Sequence, residues 1–210
     1  MTRILLGLTL FALAGACGSP AEDGPSTAAA RADSIPAELL PRFAAGDSLV
    51  RPERWEAWVL AGTSMGLTYT ESATPPVAGD PPGDFLNVYI QPWAYERFME
   101  TGEFPEGTMF VLAGSDPVRR TDPARGGFTQ GPQSLLEVHL KWRGLDETGW
   151  GFYGFGGGEE TAGLIPGDAA CYTCHRDEAA FDHAFVQFYP AIRERLGLTS
   201  AETDSTGGAS

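Results

Sequence analysis

Hydrophobic positions change their rhythm several times along this chain, and each change marks an element. Residues 4–14 are an unbroken run of apolar and small residues. Residues 18–34 then mix Ala, Ser, Pro, Gly and acidic side chains with no periodicity, a pattern that predicts a solvated tether. A short amphipathic stretch over 35–43 is broken by Pro36 and Pro41, and Pro52 predicts a brief helix through Trp55. Residues 58–69 turn β-like, with Gly62 and Gly66 as bends, and 74–83 are a Pro/Gly-rich loop. Phe85-Leu86-Asn87-Val88-Tyr89-Ile90 is the first clear strand, β-branched and aromatic. Pro92 then suits a helix N1 position, so 93–101 predicts a short helix closed by Gly102. A second strand follows over 108–113, a long loop over 115–131, a third strand over 135–142 and a fourth over 149–155. Residues 178–196 predict a helix carrying Phe181, Phe185, Phe188 and Tyr189 on one side, interrupted at Pro190. The fold expected from this order is α+β: a mainly antiparallel β-sheet with flanking helices.

Composition narrows the function classes. The chain has 210 residues, 42% of them hydrophobic and 11% aromatic, enough to bury a core within one domain of moderate size. Its 28 acidic residues against 14 basic ones leave a net charge of −14. Such a surface repels phosphate backbones, so no nucleic-acid partner is expected. Neutral or cationic small molecules and a basic, soluble redox partner remain compatible with it.

The first run of apolar residues is too short to span a bilayer and follows Arg3, the arrangement of a signal peptide. It ends in Leu13-Ala14-Gly15-Ala16-Cys17, similar to a lipoprotein processing site, at which Cys17 would be lipidated. Ala14-Gly15-Ala16 would also serve an ordinary signal peptidase, leaving Cys17 as a free thiol. Residues 1–17 are therefore read as a leader, 18–34 as the tether, 35–198 as the folded domain and 199–210 as a disordered small-residue tail. The expected location is the periplasm, with a lipid anchor in the membrane.

Cys171-Tyr172-Thr173-Cys174-His175 is the most specific chemical signature in the chain. It is a CxxCH, the attachment motif of a covalent haem c: two thiols three positions apart add to one porphyrin, and the following histidine supplies an axial ligand to the iron. On a helix all three side chains share one face. Competing readings are a disulfide or a redox dithiol. A zinc site would have only His139 and His183 to complete its ligands. With Cys17 lipidated and two cysteines on haem, the three cysteines are all accounted for.

Around this motif the chain resembles the cytochrome P-460 family, which includes cytochrome c′-beta. The resemblance rests on Trp93-Ala94-Tyr95-Glu96-Arg97-Phe98, on Thr101-Gly102-Glu103-Phe104-Pro105-Glu106-Gly107-Thr108 and on Leu136-Glu137-Val138-His139-Leu140-Lys141. Trp150-Gly151-Phe152-Tyr153 and the CxxCH followed by Phe185-Val186-Gln187-Phe188-Tyr189-Pro190 complete the ordered set, over about 51–196. It implies one haem in a largely antiparallel β-fold, a homodimer, and five-coordinate iron with His175 as proximal ligand. It also implies an open site for nitric oxide, hydroxylamine or related small nitrogen compounds. Hydroxylamine oxidation in the family goes with a lysine cross-linked to the haem. Leu112 occupies the matching position here, and the chain's single lysine is Lys141.

The resemblance places Glu137 as a distal carboxylate able to accept protons. Strand alternation puts His139 on its face, as a proton relay, a sixth ligand or an ordinary strand histidine. If Leu112 faces the haem, Phe110 joins it and Met109 turns away, so Phe110 and Leu112 would restrict the pocket to small ligands. Lys141 is expected to be a rim charge, and His183 a surface or core histidine two helical turns past His175. Tyr153, Arg143, Arg119, Arg120 and Arg125 are candidates for the haem propionates. The competing function is a low-spin electron-transfer cytochrome, with His175 opposed by a methionine or His139.

Overall fold

The computed structural model describes residues 35–67, 79–81, 83–120 and 122–198. The leader with Cys17, the tether and the tail lie outside them. Residues up to Leu39 group separately from Leu40 onward, and within them Ala37–Leu39 form one 3-10 turn, with the Leu39 N–H on the Pro36 carbonyl.

From Leu40 onward the chain is built on a meander. Strands β1 (Leu49–Val50), β2 (Val59–Met65) and β3 (Phe85–Ile90) lead into helix α1 (Pro92–Thr101). Strands β4 (Met109–Arg119), β5 (Phe128–Lys141), β6 (Trp150–Gly154) and β7 (Thr161–Ala162) follow, then helices α2 (Ala170–Glu178) and α3 (Pro190–Arg195). Strands β2 to β6 pair in sequence order into one five-stranded antiparallel sheet, and β1 with β7 forms a two-stranded one. The α+β expectation, an antiparallel sheet with helices beside it, describes this architecture.

Period-2 alternation separates two cores across the sheet. Met109, Val111 and Ala113 of β4 join Leu136, Val138 and Leu140 of β5 on one face, with Leu49, Trp55 and Tyr153. Phe110 turns to the other face, where Ile90, Ala94, Phe98, Phe104 and Trp150 meet the segment from Ala184 to Ile192. Phe98 and Phe104 stack there at 4.3 Å. Pro92 starts α1 and Gly102 ends it in the left-handed region at φ 80°, as a C-cap that no L side chain adopts freely.

Two expectations need correction. Residues 115–131 are not one long loop: β4 runs on to Arg119 and β5 begins at Phe128, with register shifts next to Ser115 and Pro117. Proline has no N–H to give the ladder, so its strand is legible only once the bulge is seen. Nor is 178–196 one interrupted helix. α2 stops at Glu178, Phe181 bridges to Ala184, Val186–Phe188 make a 3-10 turn, and Pro190 starts a new helix instead of kinking an old one. The aromatic spacing there serves a compact strap of turns.

Candidate functional site

The helix α2 carries Cys171, Cys174 and His175 at helical spacing, one face of a little more than one turn. That face closes one side of a cavity of about 290 Å³. A second wall is the sheet, where β4 and β5 pair Phe110 with His139 and Leu112 with Glu137. All four side chains line the cavity, together with Leu86 and Val88 of β3 and the Gly62 to Ser64 portion of β2. Phe185 and Tyr189 close the remaining side.

Gly62 is there for a packing reason. A Cβ on it would stand 2.8 Å from the Tyr189 ring and 2.9 Å from the Phe188 carbonyl oxygen, so β2 can approach the C-terminal strap only with no side chain.

His175 is oriented by the backbone. Its Nδ1 stands 2.7 Å from the His183 carbonyl oxygen, which can only accept, so Nδ1 carries the proton and Nε2 of the neutral ring is left as a bare lone pair. Burial holds the His175 pKa below its ordinary value, partly offset by that hydrogen bond, which keeps the ring neutral at physiological pH. The thiols of Cys171 and Cys174 are both free, and burial pushes that of Cys171 up.

His139 lies flat between two rings: Phe152 at 4.2 Å and nearly parallel, Trp150 at 4.3 Å. It also meets His175 edge-on, their ring centroids 4.7 Å apart at 67°. Two imidazoles on opposite faces of one iron would keep their centroids about 6 Å apart or more, given iron–nitrogen distances of about 2 Å on each side. His139 thus stands beside His175, not across from it, which speaks against its place as a sixth ligand. Burial, and then the neighbouring His175 and His183, hold its pKa well below the ordinary range, so it is neutral. Its Nε2 is buried with no hydrogen-bond partner among the described residues.

Glu137 is half-buried, and burial alone raises its carboxyl pKa. Among the described residues no methionine lines the cavity, and Met109 is buried in the core on the far face of the sheet. Tyr153 is also buried on that far face, and neither it nor Arg143, Arg119, Arg120 or Arg125 lines the cavity. Lys141 is no rim charge. Its ammonium donates to Asp182 at 2.6 Å, with both side chains about three-quarters buried.

Sequence reasoning missed two contributors. His183 acts through its carbonyl, and Asp182, which precedes it in the turn, is bound by Lys141 and Trp150. Neither has a sequence signal, because both depend on a turn hidden in an apparent helix.

The residues present fit a haem c. Two free thiols and one imidazole with a bare nitrogen share a helix face, and the rest of the cavity lining is mainly apolar, with Glu137 its one carboxylate among the described residues. The chain matches the family model described as Cytochrome P460 over residues 52–186. No curated protein matches it.

Proposed function

Because this chain belongs to the cytochrome P460 family, a family of haem-binding cytochromes, we propose that it is an exported mono-haem c protein. In this reading Cys171 and Cys174 would hold the haem by thioether bonds, and His175 would ligate its iron through Nε2. The cavity side opposite it is open to nitric oxide, hydroxylamine or a similar small nitrogen compound. The observation that carries this is the composition of the cavity: among the described residues its lining holds no methionine and no histidine besides His175 and His139, and His139 touches the His175 ring.

When bound, the haem supplies an iron that ligates such a compound and exchanges electrons with it. The chain's own residues divide the remaining work. The His183 carbonyl fixes the His175 tautomer so that Nε2 is available. Phe110 and Leu112 present an apolar wall that limits the cavity to small ligands and keeps water out. Glu137, held next to Leu112 across the β4–β5 pair, takes a proton on its carboxylate from an N–H or O–H group of the ligand. Electrons leave to a soluble redox partner, for which the net charge of −14 favours a basic surface. The leader read in residues 1–17 supports export and anchoring through Cys17.

Leu112 at the cross-link position, with Lys141 engaged by Asp182, favours a haem modified only through its thioethers. Ligand binding and hydroxylamine oxidation both fit this site, and Glu137 distinguishes them. A haem stain after denaturing electrophoresis should be positive, and the resting ferric spectrum should be high-spin. Glu137→Ala should retain the stain while losing hydroxylamine turnover about 100-fold or more, the scale of a removed general base. A low-spin resting spectrum would instead favour the electron-transfer cytochrome.

A further inference from the structure

Between α2 and α3 the chain makes a tight turn that two non-glycine residues hold in the left-handed region. Phe181 and Ala184 bridge, with the Ala184 N–H on the Phe181 carbonyl at 2.8 Å, and the two residues between them are Asp182 at φ 44° and His183 at φ 57°. Such a conformation is unfavourable for residues with a side chain and persists where surrounding contacts impose it. Here the contacts are explicit. One oxygen of the Asp182 carboxylate accepts from Lys141 Nζ at 2.6 Å, and the other accepts from Trp150 Nε1 at 3.1 Å. Lys141 ends β5, Trp150 begins β6, and the two are register partners. The ammonium also lies 5.5 Å from the Trp150 ring centroid. The carboxylate is thus bound on both sides to the rigid end of the sheet, one residue before the carbonyl that receives the His175 proton donor.

We propose that Lys141, Trp150 and Asp182 form a positioning clamp for His175: they hold the left-handed turn whose His183 carbonyl keeps the imidazole in its Nδ1–H tautomer. The chain's only lysine is then a structural counter-ion of the proximal side. As a statement about iron chemistry the clamp rests on His175 being the axial ligand, but its first consequence is visible in the histidine itself. A firmly accepted Nδ1–H raises the electron density on Nε2, which strengthens a bond from Nε2 to a metal and stabilises its oxidised state.

The test uses the full chain, with and without covalent haem, as wild type, Lys141→Met, Asp182→Ala and Lys141→Arg, each checked for native circular dichroism. In the haem-free chain, nitrogen NMR of His175 should report the pure Nδ1–H tautomer for wild type and Lys141→Arg. It should report a mixture for Lys141→Met and Asp182→Ala. In the ferrous haem protein the iron–histidine stretching band should move to lower wavenumber in the same two variants, with a higher midpoint potential, and return in Lys141→Arg. An unchanged tautomer and an unmoved band in folded Lys141→Met and Asp182→Ala overturn the clamp. A wild-type chain that takes up no haem would defeat the reading of His175 as an iron ligand, while the nitrogen spectrum of the haem-free chain would still decide the clamp.

Discussion

Glu137 and His139 are two residues apart on one strand face, yet the fold treats them differently. Glu137 has a raised pKa because burial disfavours its charge. A carboxyl whose folded pKa lies above its unfolded one stabilises the fold at low pH, and that contribution disappears as pH rises through the folded value. At neutral pH the wild-type protein therefore bears the cost of a partly desolvated charge. Glu137→Gln should raise the unfolding temperature at neutral pH, and the gain should vanish below the ordinary glutamate range, as thermal scans across pH would show. The same titration sets the sign for function: turnover that needs the carboxylate should fall as pH drops through the raised pKa. His139 is neutral and stacked, and its Nε2 has no hydrogen-bond partner among the described residues. His139→Phe keeps the ring stack and removes an unpaired buried nitrogen, so stability should hold or rise slightly. The resting spin state should not change, which an electron paramagnetic resonance spectrum would check.

At the scale of elements, the site exists because three segments approach closely: the β4–β5 pair, helix α2 and the strap that follows it. Gly62 shows how tight the approach of β2 is. Gly62→Ala should lose about 1–3 kcal/mol, the usual cost of overpacking, because one of the clashing atoms is a backbone oxygen that cannot rotate away. Denaturant titration would measure it. The helix over residues 93–101 and the strand over 85–90 were legible because each carries its own local signals: Pro92 and Gly102 for the helix, a β-branched and aromatic run for the strand. The extended β4–β5 hairpin was not, since Pro117 and the polar stretch from Thr129 to Ser134 look like a loop until partner strands satisfy them. The strap reads as a helix in the sequence for a related reason. Its aromatic residues repeat at nearly helical spacing, but they reach the core from a bridge and a 3-10 turn.

For the molecule as a whole, stability rests on the two cores that the sheet separates. Phe98 is fully buried at the centre of the aromatic cluster on the cavity side, stacked on Phe104 and edge-on to Phe181. Phe98→Ala should cost about 3–5 kcal/mol, read as a fall in the denaturation midpoint with little change in slope. Because Phe181 borders the turn that orients His175, the same variant should loosen the strap before it disturbs β5, which site-resolved hydrogen exchange would reveal.

The CxxCH spacing, the α+β class and the pairing of Phe110 with Leu112 and of Glu137 with His139, each on one strand face, follow from local chemistry and from the two periodicities of helix and strand, so the linear chain already contained them. That the two pairs share a face is set by the β4–β5 register. Where His139 stands relative to His175, what the single lysine binds and which group accepts the His175 proton are long-range matters. They depend on a left-handed turn held by residues 41 positions and 32 positions away along the chain. No local pattern encodes a contact of that kind, because only the closed sheet brings its partners together.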